Sequence, residues 1–237
     1  MSALRSGLED YKRHQADKAR NGYLYKALGK KGFQGTRSGR LKPGTIIKIN
    51  KNDMIPADVI LLASNFAKGH AFIDKANLNG ETALEVVKAI PEIHERVRLD
   101  EDGKFQDTLS DEELAKRLRA LEMKVVFEAP NGTFDSFRGY VNLGDANGQI
   151  SVGGKRLLMQ ETTLRNCDWV LAMVVYTGRE TKIQLSNSER KFEVKKSKVY
   201  KMVDGLLVFC VLLQLCMCGA AAAFTFLWNN AYSKSAW

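Results

Sequence analysis

From Leu206 to Trp228 the chain carries no charged side chain, and nothing else in the sequence restricts its fold as much. The run exceeds the ~20 residues an α-helix needs to cross the hydrocarbon layer, where each backbone N–H and C=O must be satisfied within the segment. A transmembrane helix is therefore predicted over 205–228. Lys195, Lys196, Lys198 and Lys201 stand just before it and only Lys234 follows. Positive-inside bias then puts the preceding residues in the cytosol and 229–237 outside, with Trp228 and Tyr232 at the outer interface. Gln214 is the one strongly polar side chain within the span. It reads either as a residue of a transport path or as a group bonded to a neighbouring helix.

The rest of the chain has a different texture. With 45% hydrophobic residues in 237, there is enough apolar material for one well-buried domain and a short extra element, not for a multi-domain machine. Met1–Asn50 holds 12 Lys/Arg against 3 Asp/Glu, which is the whole net charge of +9. Beside a membrane such a segment meets anionic headgroups. No zinc spacing, RNP-like aromatic strand or basic heptad accompanies it, so a nucleic-acid partner is not expected. Cys167 is isolated, and Cys210, Cys216 and Cys218 share the apolar run, a usage that fits a reducing compartment rather than a disulfide framework. The Cys216-Met217-Cys218 triplet has no histidine near it, and His14, His70 and His94 are scattered, so no metal site is expected.

Residues 1–21 read as a basic amphipathic helix ending near Gly22, with Leu4, Leu8 and Tyr11 at helical spacing. From Tyr23 short β segments take over: Gly22–Ala27 and Phe33–Ser38 around a Gly-Lys-Lys-Gly turn whose spacing fails the phosphate-loop pattern. Leu41–Ile49 follows a Pro-Gly turn, and Ala57–Ser64 is the near-continuous apolar run of a buried strand, with Pro56 and Asp58 as punctuation at its start. Leu84–Ile90 reads as another strand. An acidic interval then interrupts the β pattern. Ser110 with Glu113 forms a capping box, and Leu114, Leu118 and Leu121 recur at helical spacing, which predicts a helical insertion over about 110–122. Lys124–Val141 reads as a hairpin turning at Asn131-Gly132, and Asp168–Gly178 as a central strand leading into a closing turn and helix. Asn131-Gly132-Thr133 also spells a glycosylation sequon, unmodified if it faces the cytosol.

The stretch that carries chemistry is Asn77–Glu85. Asn79-Gly80 favours a turn through positive φ, and it is followed directly by a carboxylate and a hydroxyl, Glu81 and Thr82. A carboxylate at the tip of a tight loop, beside a residue without a side chain, is placed to touch a phosphorylated group or its attacking water. The plainer alternative is a surface turn, since Asn-Gly before a charge is common in hairpins.

Five motifs stand in order: Pro56-Ala57-Asp58 with its Leu-Leu-x-Ser continuation, Asn79-Gly80-Glu81-Thr82, Pro130-Asn131 with Ser136-Phe137-x-Gly139, Leu164-Arg165-Asn166, and Thr177-Gly178 with Thr181-Lys182. Together they resemble the actuator domain of a P-type ATPase of the phospholipid-flippase (fourth) subfamily, over about Glu9–Trp228. The resemblance implies a mainly β fold with helices (α+β): a distorted jelly-roll-like actuator domain over 22–190, a cytosolic stalk helix over 1–21, a basic linker over 191–204, the third membrane helix of the family over 205–228, and an exoplasmic tail over 229–237. It makes Glu81 the group that positions and deprotonates the water hydrolysing an aspartyl phosphate, with Gly80 permitting close approach, Thr82 supporting the loop and Asn79 forming the turn. Arg165 and Asn166 read as structural pairing groups.

The resemblance further implies ATP and magnesium, bound outside this chain, and as partners a phospholipid membrane, the remaining domains of the ATPase and an accessory subunit. It implies an integral membrane protein of the plasma, Golgi or endosomal membrane with its β domain in the cytosol. Asn79 departs from the aspartate usual in flippases. Absent from the sequence are the Asp-Lys-Thr-Gly phosphorylation motif, a nucleotide-binding domain and the membrane helices before and after this segment. A partial flippase chain, inactive alone, is therefore expected: a truncated gene model, a split gene or a degenerate copy. The alternatives are a cation-transporting P-type ATPase fragment, disfavoured because such pumps usually carry Thr-Gly-Glu-Ser at the loop, and a non-catalytic single-pass membrane adaptor.

Overall fold

The structure, a computed structural model, describes residues 2–100, 102–106, 108–134, 136–144, 149–189 and 198–233. The chain divides into two compact units: Met1–Asp10 with Phe192–Trp237, and Tyr11–Lys191. The first element, α1 (Ser2–Gly22), exposes all its described side chains, so Leu8 and Tyr11 are not buried at the helical spacing that drew attention to them.

In the second unit the strands β1 (Leu24–Gly29), β2 (Gly32–Arg37), β3 (Ile46–Asn50) and β4 (Asp58–Ser64) follow the sequence reading. Next come β5 (His70–Asp74), a single helical turn α2 (Ala76–Asn79), β6 (Glu85–Lys88), α3 (Pro91–Arg98) and α4 (Asp111–Ala120). The remaining strands are β7 (Lys124–Phe127), β8 (Arg138–Asn142), β9 (Gln149–Gly153), β10 (Leu157–Leu158), β11 (Thr163–Arg165) and β12 (Trp169–Tyr176), and α5 (Lys182–Glu189) closes the unit. The strands form a six-stranded sheet ordered β10-β4-β12-β3-β1-β2 and two three-stranded sheets, β11-β5-β6 and β7-β8-β9, all with antiparallel neighbours.

The large sheet is covered on both faces, which is why β4 and β12 read as continuous apolar runs rather than alternating ones. Strand periodicity still sorts their side chains. Val59 and Leu61 of β4, with Ile47, Ile49, Val170 and Ala172, pack against Ala71, Ile73, Val87 and Leu164 of the β11-β5-β6 sheet. Ile60 and Leu62, with Leu171, Met173 and Val175, pack beneath Ile93 and Val97 of α3, Leu114 and Leu118 of α4, and Val141 and Val152 of the third sheet. The chain is thus a layered, mainly antiparallel β domain with helices, preceded by a helix and followed by an apolar one.

Local signals account for several elements. Ser110 Oγ accepts from the Glu113 N–H at 3.2 Å and caps α4, as the capping box predicts. Pro91 occupies the first turn of α3, directly after the 84–90 segment in which β6 lies. Asp58, fully buried, accepts from the N–H groups of Gln160 at 2.9 Å and Lys182 at 2.7 Å, joining three distant segments at the mouth of β4. Burial raises its pKa, and those two N–H groups oppose the rise. His94 is a packing residue: it is buried, and its Nε2–H donates to the Ala67 carbonyl at 3.1 Å.

One expectation is corrected. β7 and β8 pair with Phe127 opposite Gly139, so residues 128–137 form a long connection rather than a tight turn at Asn131-Gly132. The buried Lys182 holds this connection. Its Nζ donates to Asn131 Oδ1 at 2.8 Å and to the carbonyls of Thr133 at 2.9 Å and Ser136 at 2.6 Å.

In the first unit, α6 runs Lys198–Ser233, past the predicted 205–228 on both sides. Within it Met202–Tyr232 is long and apolar enough to cross a membrane. Phe224, Trp228 and Tyr232 stack one turn apart along one face, with ring centroids 5.9 and 4.5 Å apart. Residues 191–197 of the basic linker, Lys195 and Lys196 among them, and residues 234–237 lie outside the described residues, as do 145–148 of the loop before β9.

Candidate functional site

The carboxylate loop joins β5 to β6. These strands pair from His70 opposite Lys88 to Ile73 opposite Glu85, so Asp74–Leu84 leaves and re-enters the sheet at neighbouring positions. At its start Asp74 Oδ1 accepts from the Ala76 N–H at 2.9 Å and sets the entry to α2. The turn ends at Gly80, whose φ of 76° is left-handed and whose N–H donates to the Ala76 carbonyl at 3.0 Å. A Cβ at Gly80 would meet nothing within 4 Å, so glycine is required there for the backbone conformation and not for space within the chain.

Asn79 then closes a second turn around the first. Its Oδ1 accepts from the Glu81 N–H at 3.0 Å, an Asx turn that fixes the backbone from which the Glu81 side chain departs. This bond requires only an acceptor oxygen, so the carboxamide serves it as a carboxylate would. Asn79, Gly80, Glu81 and Thr82 are brought together and all exposed. Among the described residues neither the Glu81 carboxylate nor the Thr82 hydroxyl has a partner. The backbone is held while the carboxylate is left free to accept a proton or a hydrogen bond from outside the domain.

Two ion pairs at the base of the loop were not legible in the sequence. Lys75 pairs with Glu85 across the neck. Asp74 pairs with Arg165 Nε at 3.5 Å, and Arg165 Nη1 donates to Asn52 Oδ1 at 2.8 Å. Arg165 therefore links the loop's root to the β3–β4 connection, in keeping with its reading as a structural group. Asn166 holds a φ of 44° at the turn from β11 to β12, also a structural role. Gln214 lies on α6, in the other unit, with its side chain exposed. Among the described residues no three His, Cys, Asp or Glu side chains converge as metal ligands.

Comparison with known proteins bears on what this loop belongs to. The chain is 29% identical over 237 residues to the human phospholipid-transporting ATPase VD, and the match covers 98% of the chain. To the phospholipid-transporting ATPase DRS2 of Saccharomyces cerevisiae it is 32% identical over 219 residues, or 91% of the chain. To the phospholipid-transporting ATPase C887.12 of Schizosaccharomyces pombe it is 27% identical over 235 residues, or 99%. Over nearly its whole length the chain is similar in sequence to phospholipid-transporting ATPases. It spans about 15% of the length of the human and budding-yeast proteins and 17% of the fission-yeast one. No family profile matches the chain. A solved zinc-transporting PIB-type ATPase in its E2·Pi state aligns with 84% of the chain and 23% of its own, at 12% identity and a TM-score of 0.36, too low to add to the sequence relationship.

Proposed function

We propose that this chain is the actuator segment of an ATP-driven phospholipid flippase, and that Glu81 positions and deprotonates the water that hydrolyses an aspartyl phosphate held on another domain. The observation that carries the reading is the state of Glu81: exposed, unpartnered among the described residues, and projecting from a backbone fixed by the Asn79 turn and the left-handed Gly80. In the step envisaged, the water oxygen forms a bond to phosphorus as the aspartyl oxygen–phosphorus bond breaks. The water proton passes to Glu81, and inorganic phosphate leaves. Gly80 lets the phosphorylated side chain approach, and the Thr82 hydroxyl offers one donor beside it. ATP with magnesium, bound outside this chain, supplies the phosphoryl group. The β domain faces the cytosol of a plasma, Golgi or endosomal membrane, α6 returns into the bilayer, and Gln214 meets a neighbouring helix or the lipid path. The remaining ATPase domains and an accessory subunit complete the assembly.

The test is a chimaera in which this chain replaces the matching segment of the budding-yeast relative, with and without Glu81→Gln. A carboxamide keeps the shape of the side chain but takes up no proton. Phosphoenzyme formed from labelled ATP should decay ~10²–10⁴-fold more slowly in the chimaera carrying Glu81→Gln, the usual scale of general-base help. Equal decay rates in the two chimaeras would remove Glu81 from the reaction.

A further inference from the structure

Where α1 meets the β domain there is a cavity of about 350 Å³, within the range of small-molecule sites. Its apolar wall is Tyr23 and Tyr25, with ring centroids 4.9 Å apart and tilted by 59°, together with Met54, Ile55 and Pro56. Its charged groups are Arg20, Asp53 and Glu161. Arg20 Nη1 and Glu161 Oε1 lie 2.6 Å apart and neutralise each other.

Asp53 is not neutralised. Its Oδ1 accepts from the Tyr23 hydroxyl at 2.8 Å and its Oδ2 from the Asn50 N–H at 3.2 Å, and among the described residues no cationic side chain pairs with it. A half-buried carboxylate without a cationic partner among the described residues therefore borders a mostly apolar space. The two rings remain neutral phenols: the bond to Asp53 raises the pKa of Tyr23, and burial raises that of Tyr25. Two residues of the lining, Asn52 and Glu161, hold left-handed φ values of 66° and 68°. Non-glycine residues in this region are sparse and gather where a loop clamps a ligand.

We propose that this cavity binds a small organic cation, an amine or quaternary ammonium with a compact apolar surface, placing its charge at Asp53 and its body against Tyr23, Tyr25 and Ile55. Aromatic faces attract such cations through the ring quadrupole while accepting the apolar surface around the charge. An anion would meet Asp53 with Arg20 already engaged, and a bare metal ion would lack converging oxygen ligands. The site is separate from the Glu81 loop, and its test is independent of the flippase reading.

The experiment titrates the full 237-residue chain, in uncharged maltoside micelles, with choline and with 3,3-dimethylbutan-1-ol, in which carbon replaces the charged nitrogen. Calorimetry should give choline at least a tenfold lower Kd than the alcohol, and Asp53→Asn, which keeps an acceptor for Tyr23, should abolish that preference. Equal affinities in the unsubstituted chain, or choline binding unaltered by Asp53→Asn, would overturn the proposal. If the variant does not fold, the comparison of the two probes on the unsubstituted chain decides alone. Glycerophosphocholine identifies the source: binding as tight as choline points to a lipid headgroup, and weaker binding to a free amine.

Discussion

Two of the chain's Asn-Gly pairs, Asn79-Gly80 and Asn131-Gly132, open loops that begin alike and end differently. In both, the asparagine Oδ1 accepts from the N–H two residues on: Asn79 from Glu81 at 3.0 Å and Asn131 from Thr133 at 3.2 Å. At Asn79 that is the only bond the side chain makes among the described residues, and 79–86 is exposed without interruption. At Asn131 the same oxygen also accepts from Lys182 Nζ, the Nδ2 donates to Glu128 Oε1 at 2.9 Å, and the Tyr176 hydroxyl donates to the Glu128 carbonyl at 2.7 Å. Phe137 then buries the far end of the loop. The asparagine sets the local Asx bond, and contacts from distant residues decide whether the loop is part of the core or offered to a partner.

The contrast can be broken most severely at Lys182. Lys182→Met strips a buried ammonium from three oxygens, leaving Asn131 Oδ1 only its bond from the Thr133 N–H, which should cost about 3 kcal/mol in denaturant unfolding, with hydrogen exchange rising first across 128–137. Gly80→Ala should cost about 1 kcal/mol, because a φ of 76° strains alanine although its Cβ has open space. The loss should be confined to exchange of the Gly80 and Glu81 amides. Lys75→Met removes a pair whose glutamate is half exposed, so only about 0.5 kcal/mol is expected. If Lys75→Met destabilised the domain as much as Lys182→Met, the division into a built-in loop and an offered one would fail.

What could be read in the sequence divides along the same line. The left-handed turn at Gly80, the cap at Ser110 and the apolar runs of β4 and β12 are set by neighbours within a few positions, and each appears where it was expected. β5 is short and His70–Asp74 alternates only weakly in hydropathy, while α3 opens on Pro91 directly after an apolar residue, so neither stands out from its surroundings. The Asn131-Gly132 misreading has the opposite cause. A strong local hairpin signal was overridden by Lys182, 51 positions away in sequence from its acceptor Asn131. The Lys75–Glu85 and Asp74–Arg165 pairs became visible only once β5, β6 and β11 were laid side by side. For the site, residue identity and turn geometry were legible, whereas the bracing at its root was not.

Lys182 has one more consequence. Its ammonium sits among Asn131 Oδ1, the Thr133 and Ser136 carbonyls and, at 3.5 Å, the Asn131 carbonyl, much as a coordinated cation sits in a loop of oxygen ligands. Here the ion is tethered to the polypeptide. It has no dissociation constant, no chelator removes it and no competing ion displaces it, so the order of this loop is independent of the ionic composition of the compartment the domain occupies.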